Sequence, residues 1–377
     1  MTSVSVEPRS IPLVEPWFPP EYAEAVREQV LSGFIGPGAA TQSFASALAG
    51  FASAAGCVLT VSGTVALSVA AKALGLQTGD EILVPAYGVI ATINAFASIG
   101  LHPKLVDVDR ETGCMSPKCL DDAMSPRTRA VCYVNFSGHT GPHLIETASA
   151  CAGRGIPLIE DAACALGHRC ERRAAGTFGA IGVYSFSVPK VITTGQGGAL
   201  VSHDRALLDK AAAFIDHGDL EWRKTNLNRE VGTNLRFTDV QARLGLCQIR
   251  DLETRLTRRR ASFTVLREAL GRCLYQVPGE EAPLHNIVFT EQPDDLVAAL
   301  RQRNIHAVRQ YRTLSQHPAY ASLSGSYPNA DHWTNHAVYL PFGMSLTPED
   351  AERIGTAVRQ TGVSLLTCTA NREGLSS

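Results

Sequence analysis

The chain lacks an excess of either charge: 34 lysines and arginines stand against 36 aspartates and glutamates, for a formal net charge of −2. No global field therefore draws in nucleic acid or an anionic membrane, and any phosphate must be held locally. Long apolar runs are missing too, since none approaches the ~20 residues that span a bilayer. The first 22 residues have no basic segment followed by an apolar core, so they do not read as a secretory signal. The ten cysteines are scattered, with no CxxC and no Cys/His spacing of a metal site. They read as reduced thiols of a cytoplasmic protein. Internal repeats and low-complexity tracts are absent.

What is present is a chain of 377 residues with 45% hydrophobic content, enough for two packed units. Short apolar runs at Cys57–Val61, Glu81–Pro85, Lys104–Val108, Ala130–Val134, Pro157–Ile159 and Ala180–Phe186 read as strands. Helical stretches separate them, at 62–74, 87–98, 116–124 and 144–152. That alternation predicts right-handed βαβ units and a mostly parallel sheet. Further helices are predicted over 21–31, 42–54 and 204–215, with a polar loop over 217–229 and one long helix from Thr238 to Leu256. The basic run TRLTRRR, Thr254–Arg260, reads as a solvated helix face. Beyond about residue 262 the composition suits a smaller α+β unit, closing with a strand in His336–Phe342 and a frayed tail over 366–377.

The stretch Ile156–Val201 carries the chemistry. Asp161 ends one apolar run, and Lys190 follows another 29 positions later. In open α/β sheets, ligands bind beyond the carboxyl ends of the strands. Pyridoxal 5′-phosphate chemistry needs such a pair: a lysine amine to carry the aldehyde and an aspartate to keep the pyridine nitrogen protonated. Two unit charges ~4 Å apart attract by roughly 4 kcal/mol at an effective dielectric of ~20, ample to hold the ring protonated. Either residue alone is equally a helix cap or a solvated loop lysine. Ser62, Gly63 and Thr64 open a helix, and backbone N–H groups at a helix start form an anion site, although a lone SGT is also an ordinary N-cap.

From about residue 30 to 260, and more loosely to 350, the chain resembles the DegT/DnrJ/EryC1/StrS sugar aminotransferases, a branch of the fold-type I pyridoxal phosphate enzymes. The motifs are SGTVAL from Ser62, GDEILVPAY ending at Tyr87, EDAACALG from Glu160 and FGAIGVYSFSVPK ending at Lys190. GQGGALV from Gly195 and GTNLRFTDVQARLGLCQI from Gly232 complete the set. The resemblance implies a large domain with a mostly parallel, seven-stranded-type sheet flanked by helices, over residues 1–255 with an N-terminal arm. A smaller α+β domain would cover 256–377.

By the same resemblance Lys190 and Asp161 are catalytic, and Gly63, Thr64, Ser185 and Asn234 hold the cofactor phosphate. Asn234 would do so from a neighbouring subunit, which implies a homodimer with shared sites. Two cofactor positions depart from the family: Val89 stands where an aromatic usually stacks on the ring, and Cys164 where a glutamine usually bonds near the phenolic oxygen. A thiol is a far weaker donor than an amide. Gln196 replaces a frequent glutamate. Tyr87, Arg236 and Tyr311 are candidates for the substrate, with Ser315 or His317 standing in for a family histidine. His139 lies in a loop that the family places near the cofactor.

The implied activity is transfer of an amino group from glutamate or glutamine to a keto-sugar, nucleotide-linked, in antibiotic or cell-surface sugar biosynthesis. A keto-cyclitol or other natural-product ketone is an alternative acceptor. A sugar dehydratase of this family carries histidine at the position of Lys190. A non-catalytic relative would lack Lys190 or Asp161. No metal, nucleic acid or membrane partner is expected.

Overall fold

The strands follow from runs that are apolar on both faces. In the computed structural model, which describes residues 9–279 and 281–368, all five residues of Glu81–Pro85 are buried, as a strand covered by helices on both sides requires. In chain order the strands are β1 (Gly56–Thr60), β2 (Glu81–Pro85), β3 (His102–Val106), β4 (Thr128–Val134), β5 (Leu158–Asp161), β6 (Arg169–Cys170), β7 (Arg173–Ala174), β8 (Ile181–Ser185), β9 (Gly198–Ser202), β10 (Asn286–Thr290), β11 (Ala337–Leu340) and β12 (Leu365–Leu366). Seven of them form one sheet in the order β1-β9-β8-β5-β4-β2-β3. The β3, β2, β4, β5 and β8 strands run parallel. The β9 strand is antiparallel to both β8 and β1.

That register decides where a site can form. Gly198, the first residue of β9, pairs with Thr60 on one side and Ser185 on the other. The carboxyl ends of β1, β8 and β5 therefore share one edge, and the segments that follow them open there. Helices link the parallel strands, among them Gly63–Ala73, Ile90–Ala97 and Pro142–Gly153. A second sheet, ordered β11-β10-β12, packs with the helices Pro293–Arg301 and Pro348–Gln360 around a separate apolar core. The N-terminal segment straps this unit, with Ile11 bridged to Ile305 and Val14 to Phe342. Among the described residues no helix is long and apolar enough to cross a membrane.

Three expectations are corrected. The single helix predicted from Thr238 to Leu256 is two helices, Asp239–Arg250 and Leu252–Leu270, broken at Asp251. The loop at 217–229 contains a helical turn, Trp222–Thr225. The basic run is not a solvated face: Arg255 is fully buried and Arg259 is 8% exposed. Each guanidinium carries five N–H donors in a fixed fork, which suits it to tie loop carbonyls together. Arg255 Nε donates to the Val191 carbonyl at 2.8 Å and Nη1 to the Trp17 carbonyl at 3.2 Å. Arg259 donates to the Pro283 carbonyl. The predicted tail begins with Leu366 in β12, and residues 369–377 lie outside the described part, as do 1–8 of the N-terminal arm.

Glu160, beside Asp161, shows how the sheet holds its neighbouring loop. Its two carboxyl oxygens each accept a backbone N–H, from Gly176 at 2.6 Å and Phe178 at 2.7 Å. Burial pushes this carboxyl from 4.5 up to about 7 against the pull of those donors. The folded chain then holds the proton more tightly than the unfolded chain, so its contribution to stability declines as pH rises from 4.5 to about 7. Glu160→Gln leaves one N–H facing an amide NH₂ and should cost about 1–3 kcal/mol. Urea unfolding at either end of that pH window should also show a shallower pH slope for the variant.

Candidate active site

Asp161 ends β5 with its carboxyl 4% exposed. It accepts from the Thr92 hydroxyl at 2.9 Å and from the Ala163 backbone N–H at 3.1 Å. Thr92 lies in the first turn of the helix Ile90–Ala97, which Val89 precedes as a half-buried, extended residue. Burial raises the Asp161 carboxyl, while the two donors and the nearby Lys190 charge pull it down. Lys190 Nζ donates to the Cys164 thiol at 3.0 Å. The lysine lies in the turn between β8 and β9, whose next residue, Val191, is held by Arg255.

The phosphate end of the cradle rests on close backbone approach. Ser62 caps the helix Gly63–Ala73 by accepting from the Val65 N–H at 3.2 Å, so the N–H groups of Gly63 and Thr64 are left free of the helix ladder. A Cβ on Gly63 would lie 2.8 Å from the Ser185 Cβ, and one on Gly198 would lie 2.4 Å from the Ser62 carbonyl oxygen. Glycine at these two positions lets the helix start close onto β8 and β9. The Ser185 hydroxyl meets the Ser187 hydroxyl at 3.3 Å beside that start.

The substrate candidates separate. Tyr87 is fully buried, its hydroxyl 2.8 Å from that of Tyr339, with Trp333 and Phe136 against its ring. Tyr311 is partly buried, with a left-handed φ of 62° and its hydroxyl 3.4 Å from His285 Nε2. A non-glycine residue held at positive φ stores strain that its surroundings must offset, and such residues cluster at functional sites. His285 is 2% exposed, meets the Ser137 hydroxyl through Nδ1 at 3.2 Å, and is driven well below its ordinary value by burial and by the charges of Lys190 and Arg259. It is neutral and fit to orient the Tyr311 hydroxyl.

Asn234 is exposed, and its carboxamide oxygen accepts from Arg236 Nε at 2.9 Å. Arg236 also pairs with Asp216 at 2.8 Å, on a segment bridged to Thr60 at the end of β1. His139 is buried, accepts from the Gly141 N–H and is pushed by burial down to about 4. The Gln196 backbone carbonyl accepts from the Gln241 amide at 2.9 Å, tying the glycine turn to the helix Asp239–Arg250.

The sequence reading did not find Thr92, Ser137 and His285. Thr92 carries no pattern of its own, and only the strand-end position of Asp161 places it. His285 directly precedes the apolar run of β10, which was its one available signal.

The residues fit a pyridoxal phosphate. A buried carboxylate at a strand end can meet a cationic ring nitrogen, a helix start and a serine can meet a phosphate, and the turn between β8 and β9 supplies a lysine amine. This fold and donor set define a fold-type I pyridoxal phosphate enzyme. The chain belongs to the DegT/DnrJ/EryC1/StrS aminotransferase family, which it matches over residues 19–359. It is a pyridoxal phosphate-dependent aminotransferase. It is similar to an L-glutamine:2-deoxy-scyllo-inosose aminotransferase of Micromonospora echinospora, 35% identical over 67% of this chain and 64% of that one. It is also similar to a dTDP-4-dehydro-2,3,6-trideoxy-D-glucose 4-aminotransferase of Saccharopolyspora spinosa, 30% identical over 91% and 94% of the two chains. Among solved structures, the aminotransferase TlmJ of Streptoalloteichus hindustanus superposes with a TM-score of 0.87 at 28% identity, covering 94% of this chain and 99% of that one.

Proposed function

We propose that the enzyme moves an amino group from L-glutamate or L-glutamine to the ketone of a nucleotide-linked sugar. The observation that carries the transamination is the Lys190 amine held at 3.0 Å by Cys164, three residues past the buried Asp161 at the strand end. When bound, pyridoxal phosphate supplies an aldehyde that takes up the amine and a ring that withdraws electrons from the carbon losing a proton. Lys190 Nζ removes the proton from the α-carbon of the donor and later delivers one to the former ketone carbon of the acceptor. Asp161, fixed by Thr92 and Ala163, holds the ring nitrogen protonated. Gly63, Thr64 and Ser185 anchor the phosphate, so the lysine works against a fixed geometry. Tyr311, oriented by His285, meets the acceptor.

The keto-sugar acceptor is supported by the S. spinosa relative, which matches across nearly its whole length. The keto-cyclitol reading is favoured by the M. echinospora relative, whose name also specifies a glutamine donor. A homodimer with shared sites is supported by apolar surface around the segment of Asn234. Val231 is 93% exposed and Phe34 77% exposed, and their segments meet where the Asp239 N–H donates to the Gly36 carbonyl. Val188, two residues before Lys190, is 45% exposed. Sedimentation equilibrium returning the mass of one chain would exclude the shared site.

The test of the function is the visible spectrum of the loaded enzyme. One of the two donors should convert the aldehyde form of the cofactor to its amine form, and a dTDP-4-keto-sugar should convert it back. Return of the aldehyde form only with scyllo-inosose-type ketones would assign the cyclitol reading. No change with either donor would overturn glutamate and glutamine.

A further inference from the structure

Cys164 stands at a cofactor position by resemblance, yet no step of the transamination derived above uses its thiol. Its sulfur accepts a hydrogen bond from Lys190 Nζ at 3.0 Å, so nitrogen and sulfur face each other with nothing between them. The thiol is 8% exposed and is not in a disulfide. The amine held against the sulfur is a nucleophilic nitrogen already placed beside the atom that an oxidant would activate.

We propose that Cys164 and Lys190 form a reversible oxidative cross-link that closes the enzyme to its cofactor whenever the lysine amine is free. In the first step hydrogen peroxide oxidises the thiol to a sulfenic acid and is reduced to water. In the second the lysine nitrogen attacks the sulfur, the S–O bond breaks, an S–N bond forms and a second water leaves. The protein loses two hydrogens in total. A thiol reductant reverses the change: two reductant thiols become one disulfide, and the cysteine thiol and lysine amine return. A lysine already joined to the cofactor cannot react, so the loaded enzyme is protected. Only the consequence for cofactor loading rests on Lys190 being the cofactor lysine; the bond itself is read by mass.

The experiment treats cofactor-free and cofactor-loaded enzyme with hydrogen peroxide and maps the peptides by mass spectrometry. In the cofactor-free enzyme the peptides carrying Cys164 and Lys190 should appear joined and lighter by two hydrogens, and dithiothreitol should separate them. The joined species should be at least tenfold scarcer in the loaded enzyme and absent in Cys164→Ser. Cross-linked protein should fail to develop the visible cofactor band until it is reduced. Recovery of Lys190 as a free amine beside Cys164 sulfinic acid, or of Cys164 in a disulfide, would overturn the proposal. So would equal cross-linking of the loaded enzyme. Failure of either donor to change the spectrum would touch the proposed function alone.

Discussion

Lys190→Ala should lower the transamination rate by roughly 10⁴-fold, the upper range for loss of a positioned general base. That corresponds to about 5.5 kcal/mol of barrier. Among the described residues the Lys190 amine hydrogen-bonds to Cys164 alone, so its removal leaves the loop held by Arg255 through Val191. The variant should fold, and its melting temperature should stay near that of the parent. Borohydride treatment followed by mass measurement should show the cofactor covalently attached in the parent and unattached in the variant. A small added amine should restore part of the rate, because a diffusing base can stand where Nζ stood. A variant that keeps more than about a hundredth of the parent rate would remove Lys190 from the proton-transfer role.

Asp161→Asn should cost about 10³-fold in both half-reactions. The estimate comes from the charge lost: a carboxylate and a ring cation ~4 Å apart attract by roughly 4 kcal/mol at an effective dielectric of ~20. Each ~1.4 kcal/mol is tenfold in rate. The amide keeps the shape, so the Thr92 hydroxyl or the Ala163 N–H retains a partner while the other faces an NH₂ group. Stopped-flow spectra of each half-reaction separate this from poor loading, since saturating cofactor leaves the deficit in place. A loss below about tenfold would mean that another group keeps the ring protonated.

The positions of Lys190 and Asp161 were legible because both sit at the ends of apolar runs, and runs of that kind become buried strands whose ends line up. The helix start at Ser62 was legible for a similar reason: a capping hydroxyl before an alanine-rich stretch has few other meanings. The break at Asp251 was not, since no glycine or proline marks it and the apolar pattern continues across it. The burial of Arg255 and Arg259 was equally invisible. Seven residues with four arginines look solvated until carbonyls of Val191, Trp17 and Pro283, remote in sequence, are found facing them. Tyr87 next to a cofactor motif suggested a substrate contact, and only the packing of Trp333 and Phe136 shows that its ring belongs to the core. Contacts between distant segments are what a linear pattern omits. The Cys164–Lys190 pair is of that kind.

The place of β1 has a consequence for how the enzyme comes into being. This strand is made early, yet its one partner in the sheet is β9, and Gly56 pairs with Ser202. A ribosome adding ~5–20 residues per second needs on the order of ten seconds to cover that interval. Until then β1 has no ladder, and the helix start at Gly63 has no Gly198 to close against. The cofactor cradle therefore cannot close until synthesis has passed Ser202. Non-local pairing of this sort also slows refolding from denaturant.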